Sequence, residues 1–512
     1  MRNPQSIWSD LLRGRTRQAG SFPALTRDER VDAVVVGAGI TGLTLGVLLC
    51  AKGLRVALVE RARIASGTTG ATSAHVTAVP DLPLETLVSR FGSDAAQGVV
   101  ESSLAAVDEI ERRARALAGN CGFARIPAFR FSEDPSGVEE LERERDVAKQ
   151  LGFEAVLQRA PILPARCAGA LRFERQARIQ PLEYAEALAA AFVAWGGRLF
   201  EQTPVVSVDD RGVAARTGQR VEARYVVHAT HTPIGSVPSI QARLIACTSY
   251  VLAATLAARV TDGLYWDDAS PYHYLRTAGN GSLLVAGGED HRTGRERDAV
   301  QRHRALERWV RERFAVRRVE ARWSHELFEP ADGLPYVGFL PGSSSQLVAT
   351  GFSGTGLAFG TLAAMLLAEL VTGGASPWAA LYSPERLGPL SAMPHTAAEG
   401  LRVGWRFLAD RVRGQLGSAL ADLPPDSGRR TRIEGRLVAA YRDVRGDLHA
   451  LSPRCTHLGC LVAWNDAEKT WDCPCHGGRF HATGKVLYGP PVSDLERLLV
   501  AEDPAEAEPD EP

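Results

Sequence analysis

VDAVVVGAGITGLTLGVLLCAKGLRVALVE, residues 31–60, decides the first part of the fold. It reads as an apolar strand, a glycine-rich turn, an apolar helix ending at Gly53, and a second apolar run that ends in an acid. In a GxGxxG turn the first glycine makes the tight bend, the second lets the backbone approach a pyrophosphate, and the third lets the helix pack on the strand. Those glycines are Gly37, Gly39 and Gly42.

The helix after the turn and the acid after the second strand complete this pattern. The helix begins near Ile40 and Thr41, where free N–H groups are available to phosphates. Glu60 ends the second strand, where a carboxylate accepts hydrogen bonds from a ribose, and Arg61 follows it. A lone GxGxxG is weak evidence because glycine-rich turns are common. Strand, helix and acid together predict a dinucleotide-binding unit.

Two further stretches favour FAD over NAD. RARIASGTTGATSAHVTAV, which contains Thr68 and Thr69, is a Gly/Ser/Thr loop suited to wrapping phosphates and reaching a flavin ring. Much later, QLVATGFSGTGLAFGTLAAMLLAEL reads as a strand, a glycine loop and a helix whose positive N-terminus suits the charge of a reduced flavin. The residues of this second loop expected to contact the cofactor are Gly351, Ser353, Gly354, Thr355 and Gly356.

The combination of GAGITG, SGTTG, DGLPYVG and GFSGTG carries a family resemblance. It resembles the D-amino-acid oxidase, glycine oxidase and sarcosine oxidase group of FAD-dependent oxidoreductases, over about residues 31–374. The resemblance implies an α/β, Rossmann-like FAD-binding domain with an antiparallel substrate sheet. Its β-branched runs predict that sheet as an insertion at about residues 244–326 in a discontinuous FAD-binding part.

The residues between the two glycine loops fit the same group. Residues 82–155 carry helical periodicity, and QPLEYAEALAAAFVAWGGRLFEQTPVVSV gives a helix followed by a strand. The resemblance implies that Val205 and Val206 on this strand contact adenine through their backbone groups. YVVHATHTPIG, which includes Thr230, predicts the strand that returns to the nucleotide.

Four cysteines and two histidines crowd into CTHLGCLVAWNDAEKTWDCPCHGG, residues 455–478. Cys455 and His457 form one half of a candidate metal site, and Cys473 and His476 form the other. Two Cys and two His also suit tetrahedral zinc. Because each half mixes Cys with His, each loop can give a thiolate to one iron and an imidazole to the other, which is Rieske [2Fe–2S] ligation.

The remaining two cysteines, Cys460 and Cys475, fall one in each half, as a pair able to join the loops. CTHLGC with CPCHG resembles the Rieske proteins of cytochrome bc-type complexes, and the strand-like flanks fit an all-β Rieske domain over residues 429–505. High-potential Rieske proteins have Ser and Tyr hydroxyls where this chain has Gly478 and Phe480. Fewer hydrogen bonds to sulfur predict a low reduction potential.

Composition and the remaining segments limit the partners. With 59 basic and 60 acidic residues, the chain has no long-range attraction to polyphosphate, so nucleic acid is not an expected partner.

The N-terminal extension, residues 1–30, lacks a signal-peptide core, which predicts a cytoplasmic protein. The linker, residues 375–428, contains an amphipathic helix that we expect to dock on a domain, and membrane contact is the less favoured interpretation. The sequence does not predict the oligomeric state.

Enzymes of the resembled group take a hydride from a carbon next to nitrogen, so the protein mainly positions the substrate. For each candidate tyrosine, packing within the sheet is the competing and more favoured interpretation. The strongest candidate is a histidine in ATHTPIG, at a strand end beside the nucleotide. The candidate catalytic residues are His231, Tyr250, Tyr274, Arg276 and His325.

These features predict an amine dehydrogenase that holds one FAD and one [2Fe–2S] cluster and passes electrons to an external one-electron acceptor. Two alternatives stay open: an amine oxidase that uses oxygen directly, and an electron-transfer protein that serves a partner enzyme. Amino-acid oxidases of the group clamp the substrate carboxylate with an Arg just before the DGLPYVG segment, where this chain has Leu327 and Phe328. The sequence therefore predicts that simple α-amino acids are poor substrates, unless Arg276 supplies the clamp.

Overall fold

The computed structural model describes residues 6–11, 22–117, 119–159, 163, 166–296, 298–386, 420–433 and 435–499. Its helices are α1 (Ile7–Leu11), α2 (Ile40–Ala51), α3 (Thr68–Ala71), α4 (Leu84–Phe91), α5 (Ser93–Ala116), α6 (Gly137–Gln150), α7 (Pro181–Ala194), α8 (Pro238–Gln241), α9 (Ala299–Arg313), α10 (Gly356–Val371) and α11 (Ala379–Tyr382), with 3-10 turns at Asn120–Gly122 and Leu420–Asp422.

The strands form four sheets. They are β1 (Glu29–Val36), β2 (Val56–Val59), β3 (His75–Val76), β4 (Ala124–Ser132), β5 (Ala155–Gln158), β6 (Gly169–Arg178), β7 (Arg198–Phe200), β8 (Val205–Asp209), β9 (Gly212–Ala215), β10 (Arg220–His228), β11 (Leu244–Leu256), β12 (Leu264–Asp267), β13 (His273–Ala278), β14 (Leu283–Arg292), β15 (Val316–Pro330), β16 (Tyr336–Phe339), β17 (Gln346–Thr350), β18 (Ser427–Ile433), β19 (Arg436–Arg442), β20 (Leu448–Leu451), β21 (Ala463–Asn465), β22 (Thr470–Asp472), β23 (Arg479–His481) and β24 (Val486–Tyr488).

The first sheet is the nucleotide-binding one, with strand order β16-β17-β10-β1-β2-β7 and the β8–β9 hairpin beside β10. Its central strands are parallel, which leaves both faces to be covered by helices and explains the apolar run at residues 33–36 of β1 and the wholly apolar β2. Helices α2 and α10 pack against each other on this sheet. The predicted α/β fold with two strand–glycine loop–helix units is confirmed.

The second sheet has the order β15-β11-β14-β13-β12-β4-β6-β3, with β5 beside β6. It is antiparallel except where β4 and β12 pair. The substrate sheet was expected at residues 244–326, but β3 to β6 come from earlier in the chain and add almost half of it. Of these strands, β4 lies between α5 and α6, inside residues 82–155, where helical periodicity was expected, so helical patterning masked it.

The N-terminal residues are part of the FAD-binding unit. Trp8 on α1 is buried, and its indole Nε1 donates to the Thr72 carbonyl at 2.6 Å. The Leu25 N–H donates to Thr203 Oγ1 at 3.0 Å, and β1 begins at Glu29. Residues 6–11 and 22–30 therefore pack on the unit that they were expected only to precede.

The C-terminal domain is all β, with a three-stranded sheet (β18-β19-β20) and a four-stranded sheet (β21-β22-β23-β24). Two loops between strands carry the cysteines and histidines, the first after β20 and the second between β22 and β23. The linker before this domain, with its predicted amphipathic helix, lies mostly outside the described residues. Among the helices that are described, none is long and apolar enough to cross a bilayer.

Candidate active site and metal centre

A cavity of about 710 Å³ runs from the nucleotide-binding sheet to the second sheet. Both glycine loops open into it, and so do the Gly/Ser/Thr loop after β2 and the strand end after β10. The C-terminal domain supplies part of its wall through residues 486–492. The cavity is thus lined by the nucleotide-binding sheet, the second sheet and the C-terminal domain.

The first glycine loop shows why its glycines are needed. Gly37 has φ +103°, and a Cβ on it would lie 2.5 Å from the Ala229 carbonyl oxygen. A Cβ on Gly42 would lie 1.9 Å from the Gly37 carbonyl oxygen, so the helix could not approach the turn. A Cβ on Gly39 would lie 3.0 Å from Thr69 Oγ1, on the cavity side. The bare backbone leaves room for phosphate groups there.

Glu60 is fixed at the end of β2 by two backbone donors. Its Oε2 accepts from the Ala38 N–H and its Oε1 from the Ala62 N–H, each at 2.9 Å. Burial raises the pKa of Glu60, while these two hydrogen bonds oppose the rise. Each carboxylate oxygen keeps an acceptor site free for a ribose hydroxyl.

The two other loops close on the first one. Thr69 Oγ1 accepts from the Ile40 N–H at 3.1 Å, which ties the Gly/Ser/Thr loop to the start of α2. Asp81 accepts from the Gly354 N–H just before α10, so a carboxylate lies beside the second glycine loop. Burial raises the pKa of Asp81 to about 6.

Most of the predicted cofactor-binding residues line the cavity. Three of them do not line it: Gly42, Val206 and Gly351. The lining members are Gly37, Gly39, Ile40, Thr41, Glu60, Arg61, Thr68, Thr69, Val205, Thr230, Ser353, Gly354, Thr355 and Gly356. The cavity is lined by glycine backbone, by an acid held in place and by two helix N-termini. This combination fits FAD.

The candidate catalytic residues separate into two groups. His231, Tyr274 and His325 line the cavity, but Tyr250 and Arg276 do not. Tyr250 faces the other side of its strand, where its hydroxyl pairs with His291 Nε2 at 2.9 Å.

Arg276 is held inside the protein. Its Nη1 donates to the carbonyls of Ala74 at 2.7 Å and Ile179 at 2.9 Å, and its guanidinium lies 4.8 Å from the centre of the Trp8 ring. Burial lowers its pKa to about 9. The structure therefore gives Arg276 a role in tying α1 to the second sheet and does not bring it to the cavity.

His231 is in the left-handed region, at φ +71°, which costs a non-glycine residue roughly 1–2 kcal/mol. Such strain is concentrated at functional sites. Its ring lies 4.9 Å from that of Phe328, and its Nε2 is buried without a hydrogen-bond partner. Burial, followed by repulsion from His325, lowers the pKa of His231 to about 4, and burial lowers the pKa of His325 to about 4 as well. Both rings are neutral at pH 7.

The wall on the side of the second sheet is acidic and aromatic, and the sequence did not predict this. Asp81, Glu326, Glu329 and Tyr272 line it together with Tyr274. Burial, followed by repulsion from Asp81 and Asp290, raises the pKa of Glu329 to about 7. Tyr272 lies two residues before Tyr274, which was a predicted candidate, so strand alternation was a usable signal for Tyr272. No pattern in the sequence indicated Asp81.

The predicted metal ligands converge between the two cysteine loops. Cys455 and Cys473 are buried and in contact, and the His457 and His476 rings lie 5.0 Å apart, nearly perpendicular. His457 Nε2 is buried without a hydrogen-bond partner. Two thiols and two imidazoles, one of each from either loop, fit a Rieske cluster.

Contacts around the loops keep this arrangement in place. Cys460 and Cys475 form the predicted disulfide, with their Cα atoms 6.6 Å apart. Arg479 and Asp472, both buried, make a two-point ion pair at 3.0 and 3.1 Å beside the second loop. A buried pair of this kind fixes geometry more than it adds stability.

The structure also explains the residues at Gly478 and Phe480, the two positions where high-potential Rieske proteins carry hydroxyl groups. A Cβ on Gly478 would lie 2.8 Å from Pro491 Cγ and 3.3 Å from Cys455 Sγ, so a serine would have to displace the proline. Phe480 is fully buried in the core of the domain.

The second cysteine loop packs directly on the second sheet. A Cβ on Gly477, which has φ +68°, would lie 2.7 Å from Ala246 Cβ and from Glu326 Oε1, and 3.0 Å from Phe328 Cζ. Glu326 and Phe328 are themselves residues of the cavity wall. One backbone turn thus separates the cluster ligands from the cavity.

The first cysteine loop faces the segment after β10. The Gly235 N–H donates to the Pro490 carbonyl at 2.9 Å, and the His457 ring faces the Gly235 carbonyl. Gly235 is four residues after His231, which lines the cavity. Both cluster loops are therefore in contact with segments that enclose the proposed FAD site.

A Rossmann-like cavity beside a Cys₂His₂ pair of loops defines a two-cofactor flavoprotein oxidoreductase. Comparison with known families agrees: residues 32–370 match the FAD dependent oxidoreductase family, and residues 417–498 match the Rieske [2Fe-2S] domain. The chain belongs to the FAD dependent oxidoreductase family and carries a C-terminal Rieske domain. The family implies FAD as a cofactor, and the Rieske domain implies a [2Fe–2S] cluster.

Similar proteins share one or both parts. The chain is 30% identical over 502 residues to a putative Rieske 2Fe-2S iron-sulfur protein, YhfW, of Bacillus subtilis, covering 97% of both chains. It is 24% identical to the gamma-glutamylputrescine oxidoreductase of Escherichia coli, covering 74% of this chain and 91% of that one. Glycine oxidase from Geobacillus kaustophilus has the same fold over 70% of this chain and 100% of its own, with a TM-score of 0.58 and 18% identity.

Proposed function

We propose that the protein is an amine dehydrogenase, which oxidises a C–N bond and delivers single electrons to an external acceptor. One observation carries this: the loops that hold the cluster ligands pack on the residues that enclose the FAD cavity, through Gly477 on Phe328 and His457 on Gly235. When bound, FAD supplies a hydride acceptor and the [2Fe–2S] cluster a one-electron acceptor.

The cavity wall favours an amine over a simple amino acid. A carboxylate clamp needs an unengaged arginine near the reacting carbon. Arg276 is bound to backbone carbonyls, and Arg130 of the cavity wall is paired with Glu140 and lies 3.7 Å from Glu144. The carboxylates of Asp81 and Glu329 in this wall suit a cationic ammonium group instead.

Carboxylates in this wall suit the proton transfer that an amine needs. An ammonium ion must lose a proton before a hydride can leave the neighbouring carbon, and a base works best when its pKa lies near the working pH. Glu329, with its pKa near 7, and Asp81, with its pKa near 6, both line the cavity. Asp290, Cys247 and Arg292 are the other ionisable groups that act on Glu329.

Oxygen is the less favoured acceptor. Oxidases of the sarcosine oxidase group use a cation beside the flavin, often a lysine, to stabilise the charge that develops as oxygen takes its first electron. The chain has four lysines, all within the described residues, and none lines the cavity. The direct contact between the cavity wall and the Rieske loops offers an alternative route for electrons.

The test is an anaerobic titration of the holoenzyme with monoamines, diamines and N-methylated amines, following flavin and cluster absorbance together. We expect a competent amine to reduce both cofactors, and turnover with an artificial one-electron acceptor to exceed peroxide formation in air. Cys473→Ser should keep the flavin response and lose the acceptor turnover. Fast peroxide formation that Cys473→Ser leaves unchanged would identify an oxidase instead.

A further inference from the structure

One segment of the Rieske domain packs against the second cysteine loop on one side and lines the FAD cavity on the other. It consists of β24 and the loop after it, residues 486–492, here called the cover segment. Its lining members are Val486, Leu487, Tyr488, Gly489, Pro491 and Val492. Binding a [2Fe–2S] cluster does not require a Rieske domain to line this second cavity.

The cover segment lies over the nucleotide end of the cavity. The Arg61 guanidinium carbon lies 5.9 Å from the centre of the Tyr488 ring, and Arg61 directly follows Glu60, the residue placed for the ribose. The Tyr488 ring also lies 3.6 Å from where a Cβ on Gly67 would be. Tyr488 therefore stands above the loops that are built for ribose and phosphates.

A second contact anchors the other end of the cover segment. Arg216 Nη2 donates to the Val492 carbonyl at 3.1 Å, and Arg216 Nη1 lies 3.5 Å from Asp494. The Arg216 N–H itself donates to the Pro204 carbonyl at 2.8 Å, beside Val205. The segment thus spans the cavity from the ribose side to the strand expected to hold adenine.

We propose that the cover segment is part of the FAD site, with Tyr488 packing over the nucleotide half of FAD and Arg216 fastening the cover. An aromatic ring contributes a large apolar surface, and a guanidinium beside it strengthens binding of an anionic phosphate. FAD cannot leave through this side while the Rieske domain is docked. This role is independent of the amine activity proposed above.

The experiment measures FAD release from full-length holoenzyme variants by the rise in free-flavin fluorescence after dilution, and FAD affinity by titration of flavin-depleted protein. We expect Tyr488→Ala to raise both the release rate and the Kd at least tenfold, and Tyr488→Phe to stay within about threefold of the parent. The cluster's electron paramagnetic resonance signal reports whether each Rieske domain is folded.

Two further variants distinguish a cover over FAD from a general effect of docking the Rieske domain. Arg216→Ala removes the fastening from the FAD-binding side, without touching the Rieske core, and we expect it to speed FAD release several-fold. Glu468→Gln disturbs a domain contact outside the cavity, where Glu468 lies 3.7 Å from His303, and should leave release unchanged. Release from Tyr488→Ala and Arg216→Ala within threefold of the parent, or equal acceleration in Glu468→Gln, would overturn the proposal.

Discussion

Replacing Gly477 by alanine tests whether the Rieske loop must dock on the cavity wall. At φ +68°, any side chain costs roughly 1–2 kcal/mol in backbone strain. A Cβ 2.7 Å from Ala246 Cβ and Glu326 Oε1 adds an overpacking cost of about 1–3 kcal/mol. The second cost falls only on the docked arrangement, because it arises from contacts between the domains.

The matched control is Gly435→Ala, in the turn between β18 and β19. Gly435 has φ +77°, but a Cβ on it would meet nothing within 4 Å, so this variant carries the strain alone. The difference of about 1–3 kcal/mol should lower the docking constant of Gly477→Ala by about 5- to 150-fold.

The assay is anaerobic flash photoreduction of the bound FAD, followed by the appearance of the reduced cluster. We expect slower cluster reduction in Gly477→Ala than in Gly435→Ala, with equal iron content in both. Ala246→Leu should have the same effect from β11, on the other domain. Unaltered transfer in both Gly477→Ala and Ala246→Leu would refute the idea that this contact carries electrons.

Further outcomes follow from the same structure. Cys455→Ser should abolish the cluster's electron paramagnetic resonance signal and keep the flavin absorbance; zinc without iron in anaerobically purified protein would contradict the cluster assignment. Because Glu329 has a pKa of about 7, kcat/KM for an amine should fall below pH 7, and Glu329→Gln should lose that inflection; an unchanged pH profile would exclude Glu329 as the base. With Gly478 and Phe480 lacking hydroxyls, the midpoint potential should lie in the lower half of roughly −150 to +300 mV, measured by redox titration, and a value near the upper end would count against the hydrogen-bond argument. Glycine and D-alanine should reduce the flavin slowly in stopped-flow measurements, and rapid bleaching would show that a carboxylate clamp exists.

Local spacing made the glycine loops and the cluster ligands predictable. A GxGxxG turn and a CxH…CxxH pair need their residues close together in the chain, so the sequence contains the whole signal. The structure brings Gly37, Gly39 and Glu60 to one cavity. It also brings the two candidate cysteine ligands into contact and the two histidine rings within 5.0 Å of each other.

The substrate side was harder to predict because the direction of a strand side chain depends on register. Tyr250 and Ser249 are neighbours, yet Ser249 Oγ pairs with Tyr274 of the cavity wall and Tyr250 points to the opposite face. Arg276 contacts Trp8, which lies 268 residues earlier in the chain, and no local pattern reveals such a partner. The docking of the Rieske domain depends on shape complementarity between distant surfaces, which a single sequence does not display.

The shared wall of the FAD cavity would set an order of maturation. During synthesis the glycine-loop unit emerges before the Rieske domain, and domains generally fold in that order. If the cover segment has the role proposed above, flavin enters while residues 486–492 are not yet in place, and docking of the finished Rieske domain then closes the entrance. The flavin supply of the cell while the chain is being made would then influence how much complete enzyme accumulates.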